Sequence, residues 1–285
     1  MVNLTPESTL IGGYRIACGV RGDGPPVILL HGTPSFSYIW RNVAPRLAER
    51  YRVHLFDLLG FGHSERPADP AVDTSVAAQM PVLTALMDHW GLSDAHIVAH
   101  NIGGAVAQRF GIVLRDRVRS LTLIDTVSFD SWPSPRTRQQ MQGGLEKLIR
   151  APEAQHRAHF RNWLESAVAD VDSFHKGALD VYLDMISGPV GQASFFQHQV
   201  AHYDPRYTQE IADRVWELGS KPVQLIWGET DTWQAVDWAY KLRETILDSE
   251  LYILPACGHF AMEDRPEDVA QLVTDFIARH EHGAD

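Results

Sequence analysis

Short apolar runs alternate with amphipathic stretches along the first 126 residues, and the same rhythm returns after residue 216. "PPVILLHG", "YRVHLFDLLG", "AHIVAH", "VRSLTLIDT", "KPVQLIWGETD" and "SELYILP" each read as a strand buried on both faces, because they are apolar without alternation. "YIWRNVAPRLAER", "SVAAQMPVLTALMDHWG" with its stop at Gly91, "GGAVAQRFGIVLRD", Trp238 to Ile246 and Pro266 to about His280 carry helical spacing. "GGYRIACGVRGDG" reads as an early hairpin, and a long loop runs from Gly60 to about Asp73. Between residues 127 and 215 the strand–helix rhythm stops. Gly143-Gly144, Pro152, Gly177 and Gly188-Pro189 divide that stretch into four or five short helices. The pattern predicts an α/β fold, a mostly parallel sheet flanked by helices, with residues 1–126 and 216–285 as core and 127–215 as an inserted helical cap.

Composition narrows the classes of function. A chain of 285 residues is long enough for one large domain with an insertion. Its 45% hydrophobic and 21% charged content suits a water-exposed globular protein. The formal charge of −11, without basic runs, argues against nucleic acid as a partner. No apolar run reaches the ~18–20 residues of a membrane span, and the N-terminus lacks the pattern of a secretory leader. Cys18 and Cys257 are too few for a disulfide framework, which points to a reduced, cytoplasmic setting. Cys257 lies two residues before His259 and reads as a small buried apolar residue. The partner expected is a small-molecule substrate, with the chain a monomer or homodimer.

The chemistry gathers where buried strands end, the edge at which open α/β sheets place ligands. Asn101 follows "AHIVA", Asp231 follows "VQLIWGET", and His259 follows "LYILPACG". In "VAHNIGGA" a tight strand-to-helix junction pushes the side chain at its tip clear of the sheet, and Gly103 and Gly104 allow close packing. The amides of Ile102, at the start of the helix, and Thr33, in "HGTP", are the expected donors to a developing oxyanion.

These segments together resemble the α/β-hydrolase superfamily over nearly the whole chain, in its haloalkane dehalogenase and epoxide hydrolase branch. "HGTPSFSYIWRNVAPRLA", "FDLLGFGHSERP" and "CGHFAMEDRPEDV" are similar to motifs of that branch. The elbow there commonly reads H-D-x-G-G, whereas here it is His100-Asn101-Ile102-Gly103-Gly104. Asn101 therefore stands at the position of the nucleophilic aspartate. Dehalogenases often carry Trp after the nucleophile, and Ile102 departs from that. The resemblance implies two contenders for the acid beside His259: Asp231, after the penultimate core strand where the superfamily most often places it, is the expected one, and Asp125, at the end of "LTLID" where some dehalogenases place theirs, is the alternative.

What the resemblance implies is hydrolysis of a haloalkane, haloacid or epoxide through an alkyl-enzyme ester on an aspartate at the elbow. A carboxamide stalls the attack. Asn101 is then either a substitution of a parental aspartate or the mark of a natural member that binds small molecules or uses His259 as a lone base. An esterase or lactonase lacks its Ser or Cys here. Trp132, Tyr182, Phe195 and Tyr203, with Phe196, His198 and Tyr207, are possible cap residues around the substrate, against the plainer reading of aromatic packing. The epoxide hydrolases that the chain resembles use cap tyrosines to protonate the opening epoxide, and Tyr182 and Tyr203 are the candidates for that role here. His31, His63 and His100 read as structural, and the pairs His156/His159 and His198/His202 lack a third ligand, so no metal and no cofactor is implied.

Overall fold

A computed structural model describes residues 2–281. Eight strands form one sheet: β1 (Glu7–Ile11), β2 (Tyr14–Arg21), β3 (Pro26–Leu30), β4 (Arg52–Phe56), β5 (Ala95–His100), β6 (Val118–Ile124), β7 (Val223–Gly228) and β8 (Glu250–Leu254). Their spatial order is β1-β2-β4-β3-β5-β6-β7-β8. The first two pairings are antiparallel and the rest parallel. β5 and β7 are buried at every residue, as apolar strands covered by helices on both faces must be.

Three elements differ from the sequence expectation. The hairpin pairs Glu7–Ile11 with Tyr14–Arg21 across Gly12-Gly13, so it starts before the predicted stretch. Its first strand lies on the sheet edge with three of five residues exposed and carries no apolar run to betray it. The helix expected over "YIWRNVAPRLAER" splits into a 3₁₀ turn at Ser37–Trp40 and one helical turn at Ala44–Leu47. Pro45 supplies no N–H to continue the earlier turn and fits only near a new helix start. Between β6 and β7 there are seven α-helical segments among the described residues, more than the four or five expected. The extra breaks fall at 166–170, after which Asp170 caps a new helix by accepting from Ser173 N, and between Gly188–Ser194 and Arg206–Gln209, where a π turn and a 3₁₀ turn intervene.

These inserted helices lie against the loops that leave the parallel strands. Thr74 Oγ1 donates to His198 O at 2.6 Å, and Tyr182 donates to Glu263 Oε1 at 2.5 Å. Arg41 grips the same Glu263 with both guanidinium nitrogens, at 2.5 and 2.7 Å, and lies over the Tyr38 ring. One buried network thereby ties the loop after β3, the insertion and the segment after His259 together.

Candidate active site

β5 ends at His100, and the chain turns at Asn101 with φ 53° and ψ −120° before the helix Ile102–Val113 begins. Asn101 adopts left-handed backbone that a non-glycine residue rarely enters, and four bonds hold it there. Asn101 N donates to Ile124 O at 3.2 Å, while Asn101 O accepts from Gly104 N at 3.0 Å, Val127 N at 3.3 Å and Thr126 Oγ1 at 3.3 Å. Glycines are required around it by close approach. A Cβ on Gly32 would sit 2.4 Å from Asn101 Cβ, and one on Gly104 would sit 1.8 Å from Thr126 Oγ1.

The carboxamide orientation follows from its neighbours. Thr33 N can only donate, and it meets Asn101 Oδ1 at 3.1 Å. The amide nitrogen therefore faces His259 Nε2, at 2.9 Å. On the other side of the ring, His259 Nδ1 donates to Asp231 Oδ2 at 2.7 Å, which leaves Nε2 as the acceptor that Asn101 Nδ2 needs. Asp231 is itself held by Trp233 N at 2.7 Å and Gln234 N at 2.9 Å, both on Oδ1. His259 is 0% exposed, with Trp233 stacked on it at 4.9 Å and its carbonyl accepting from His100 Nε2 at 2.9 Å. Ile102 opens the helix, where N–H groups lack intrahelical partners, and Thr33 N remains the donor that meets Oδ1.

Asp125 does not reach His259. It sits at the end of β6 with φ 43° and accepts from Gly228 N at 2.8 Å. Burial, then the proximity of Asp231, push its carboxyl well above the usual range. His31 donates from Nδ1 to Gly32 O at 2.9 Å and accepts from Leu58 N at 3.0 Å, which uses both ring nitrogens on backbone. Asp57 accepts from Ser37 N at 2.7 Å and His63 N at 2.8 Å. Burial alone would raise its carboxyl, but the bonds from His63 and the proximity of His31 hold it below the ordinary value. Cys257 is fully buried, and burial pushes its thiol far up, out of nucleophilic range.

A cavity of about 240 Å³ opens on Asn101. Of the aromatic residues singled out in the sequence, Trp132 and Tyr203 line it. Tyr182 does not: it is buried against Phe36, Tyr38, Phe174 and Phe260, with its hydroxyl spent on Glu263. Phe195 borders a smaller neighbouring space that shares Trp163 and Tyr203 with the main cavity. Trp163 and Trp233, stacked at 4.4 Å and 8°, also face the cavity, beyond the residues that the sequence pattern singles out. Trp233 could have been found two residues after Asp231, whereas nothing in helical spacing separates Trp163 from core packing. The Tyr203 hydroxyl is hydrogen-bonded to Thr33 Oγ1, and burial raises its pKa.

A strand-turn-helix elbow, a backbone donor at its tip and a buried Asp–His pair define a hydrolase-type site on a parallel sheet. The chain belongs to the alpha/beta hydrolase fold family, whose profile matches residues 25–266. An alpha/beta hydrolase fold protein from Burkholderia ambifaria superposes with a TM-score of 0.87 at 34% identity, covering 96% of this chain and 98% of that one. Haloalkane dehalogenase 2 of Mycobacterium bovis is 27% identical over 258 residues, 88% of this chain and 87% of its own. The soluble epoxide hydrolase of a Corynebacterium species is 36% identical over 137 residues, 46% of this chain and 47% of its own. No described helix is long and apolar enough to cross a membrane.

Proposed function

We propose that the site hydrolyses a small neutral substrate, a haloalkane or an epoxide, through an ester formed on residue 101 when that residue is a carboxylate. In the Asn101 form it binds such a substrate without attacking it. The observation that carries this reading is the placement of residue 101. Its side-chain oxygen is 3.1 Å from Thr33 N, and its other terminal atom is 2.9 Å from His259 Nε2, beside a cavity of about 240 Å³.

In the carboxylate form one oxygen attacks the carbon bearing the halogen or the epoxide oxygen; halide departs as an anion, or the epoxide C–O bond opens to an alkoxide that takes a proton and stays on the molecule. His259, its proton held on Nδ1 by Asp231, then takes a proton from water, which attacks Cγ of residue 101. The Thr33 amide stabilises the oxyanion that forms there; as the carbonyl re-forms the ester's Cγ–O bond breaks, and the alcohol leaves with the proton that His259 returns. Among the described residues, the cavity lining contains no Asp, Glu, Lys, Arg or His. A haloacid would bring a carboxylate with no cation to meet it, so a neutral substrate is favoured over that member of the expected trio. Use of His259 as a lone base is disfavoured, because its Nε2 is covered by Asn101 Nδ2.

The test is Asn101→Asp, assayed for halide release from haloalkanes and diol formation from epoxides. Turnover should rise by about a hundredfold or more over the starting chain, in keeping with restoration of a missing nucleophile. In the same background His259→Gln should trap the ester, visible by intact mass. If Asn101→Asp remains inert toward both substrate classes, the reading fails.

A further inference from the structure

We propose that the substrate of this cavity carries a free hydroxyl group, and that the Gln234 side chain accepts a hydrogen bond from it. The inference rests on the functional reading above and narrows its substrate class to epoxy alcohols and halogenated alcohols.

Gln234 lines the same cavity as Asn101 and is only 4% exposed. Its backbone is fixed on both sides: its N–H donates to Asp231 Oδ1 at 2.9 Å, and its carbonyl accepts from Trp227 Nε1 at 2.8 Å. Its carboxamide is held far less. Nε2 reaches Ser131 O at 3.5 Å, the outer limit of a hydrogen bond, and Oε1 has no partner among the described residues. Ser131 O can only accept, so turning the amide over would not give Oε1 that contact. A buried carbonyl oxygen without a partner is costly, and native folds leave few of them.

The other side-chain oxygens of the lining already have partners in the protein. Asn101 Oδ1 accepts from Thr33 N, and the Thr33 and Tyr203 hydroxyls bond to each other. Ser166 Oγ donates to Trp163 O at 2.6 Å and accepts from Trp233 Nε1 at 2.9 Å, and Thr232 Oγ1 donates to Ser166 O at 3.1 Å. Ser134 and Thr137 pair through their hydroxyls at 3.0 Å. Gln234 Oε1 is the oxygen left open to a donor, and the carboxamide can turn about its soft terminal torsion to meet one. That donor is neutral. An ammonium group would find no carboxylate in the lining, and a carboxylic acid would bring a charge with no cation to meet it. A hydroxyl is the smallest neutral donor, which suits a space of about 240 Å³. A substrate without it leaves Oε1 unpaired, and that difference is the source of the discrimination.

The experiment measures binding of matched pairs to the Asn101 chain itself: glycidol against propylene oxide, and trimethylene chlorohydrin against propyl chloride. The signal is quenching of Trp132, Trp163 and Trp233, which line the cavity. Each ratio of dissociation constants is corrected for the octanol partition of the two members, so that the cost of desolvating the hydroxyl drops out. The hydroxyl-bearing member should then gain about tenfold, the worth of one neutral hydrogen bond. In Gln234→Met, which keeps the volume and removes the acceptor, that gain should vanish. The unsubstituted chain decides the matter even if the variant fails to fold, since corrected ratios near one overturn the proposal. So does a gain that survives in folded Gln234→Met. Turnover of the same pairs by Asn101→Asp separates this inference from the reading on which it rests. A hydroxyl gain in binding together with an inert Asn101→Asp would uphold the ligand class and sink the ester chemistry. An active Asn101→Asp with equal corrected ratios would sink the present inference alone.

Discussion

Two tyrosines, Tyr182 and Tyr203, carry the same sequence signal and sit in different chemistry. Tyr203 faces the cavity with its hydroxyl on Thr33 Oγ1, and burial keeps that hydroxyl protonated. Tyr182 donates to a carboxylate that Arg41 already grips, away from the cavity. Opening an epoxide leaves an alkoxide that needs a proton, whereas halide departs as a stable anion. In the Asn101→Asp background, Tyr203→Phe should therefore lower epoxide turnover by about a hundredfold while haloalkane turnover changes only severalfold. Tyr182→Phe should leave both rates near their starting values and cost about 1 kcal/mol of stability through its lost hydrogen bond, read by urea unfolding. Equal loss of both activities in Tyr203→Phe would mean that the hydroxyl shapes the pocket and transfers no proton.

Among the elements, the elbow is the most demanding. The helix Ile102–Val113 is buried at ten of its twelve positions and approaches the loop after β6 so closely that Gly104 faces Thr126 Oγ1 without room for a methyl group. Gly104→Ala should destabilise the fold by about 1–3 kcal/mol or more, measured as a fall in the urea midpoint, because the obstacle is a hydroxyl already bonded to Asn101 O. A neutral effect would show that the helix and the loop after β6 can separate freely. The parallel strands and this turn were legible in the sequence because burial on both faces writes an unbroken apolar run. β1 was not, since an exposed edge strand writes none. The choice between Asp125 and Asp231 was open for a different reason. Both follow the adjacent parallel strands β6 and β7, and only the backbone turn at Asp125 and its bond from Gly228 N separate them. Side-chain direction within the insertion was also beyond reach: helical spacing alone does not tell that Trp163 meets the cavity and Tyr182 the core.

At the scale of the whole molecule, the buried histidines determine how the fold answers acid. His31, His54, His96, His100 and His156 are all buried, and burial lowers the pKa of each. For His54 and His96 the value falls to about 4, with Arg52 and Arg119 adding to the effect. His54 shows the cause: neither ring nitrogen has a hydrogen-bond partner among the described residues, and the ring packs on Trp90 at 4.7 Å. It behaves as an apolar ring that cannot accept a charge in place. In the unfolded chain such a histidine binds its proton near pH 6.5. Between about pH 6.5 and 4 the unfolded state therefore holds more protons, and stability falls as pH falls, by about 1.4 kcal/mol per pH unit for each such group. Asp125 acts oppositely, since its raised pKa makes the folded state hold the extra proton and favours the fold at lower pH. It is one group against at least two whose shifts span the window, so the histidines prevail. The urea midpoint should drop clearly from pH 7 to pH 5, and His54→Phe, which keeps the ring and removes the proton site, should flatten that slope by one group's share. A midpoint that stays level between the two pH values would show that these rings take up protons within the fold.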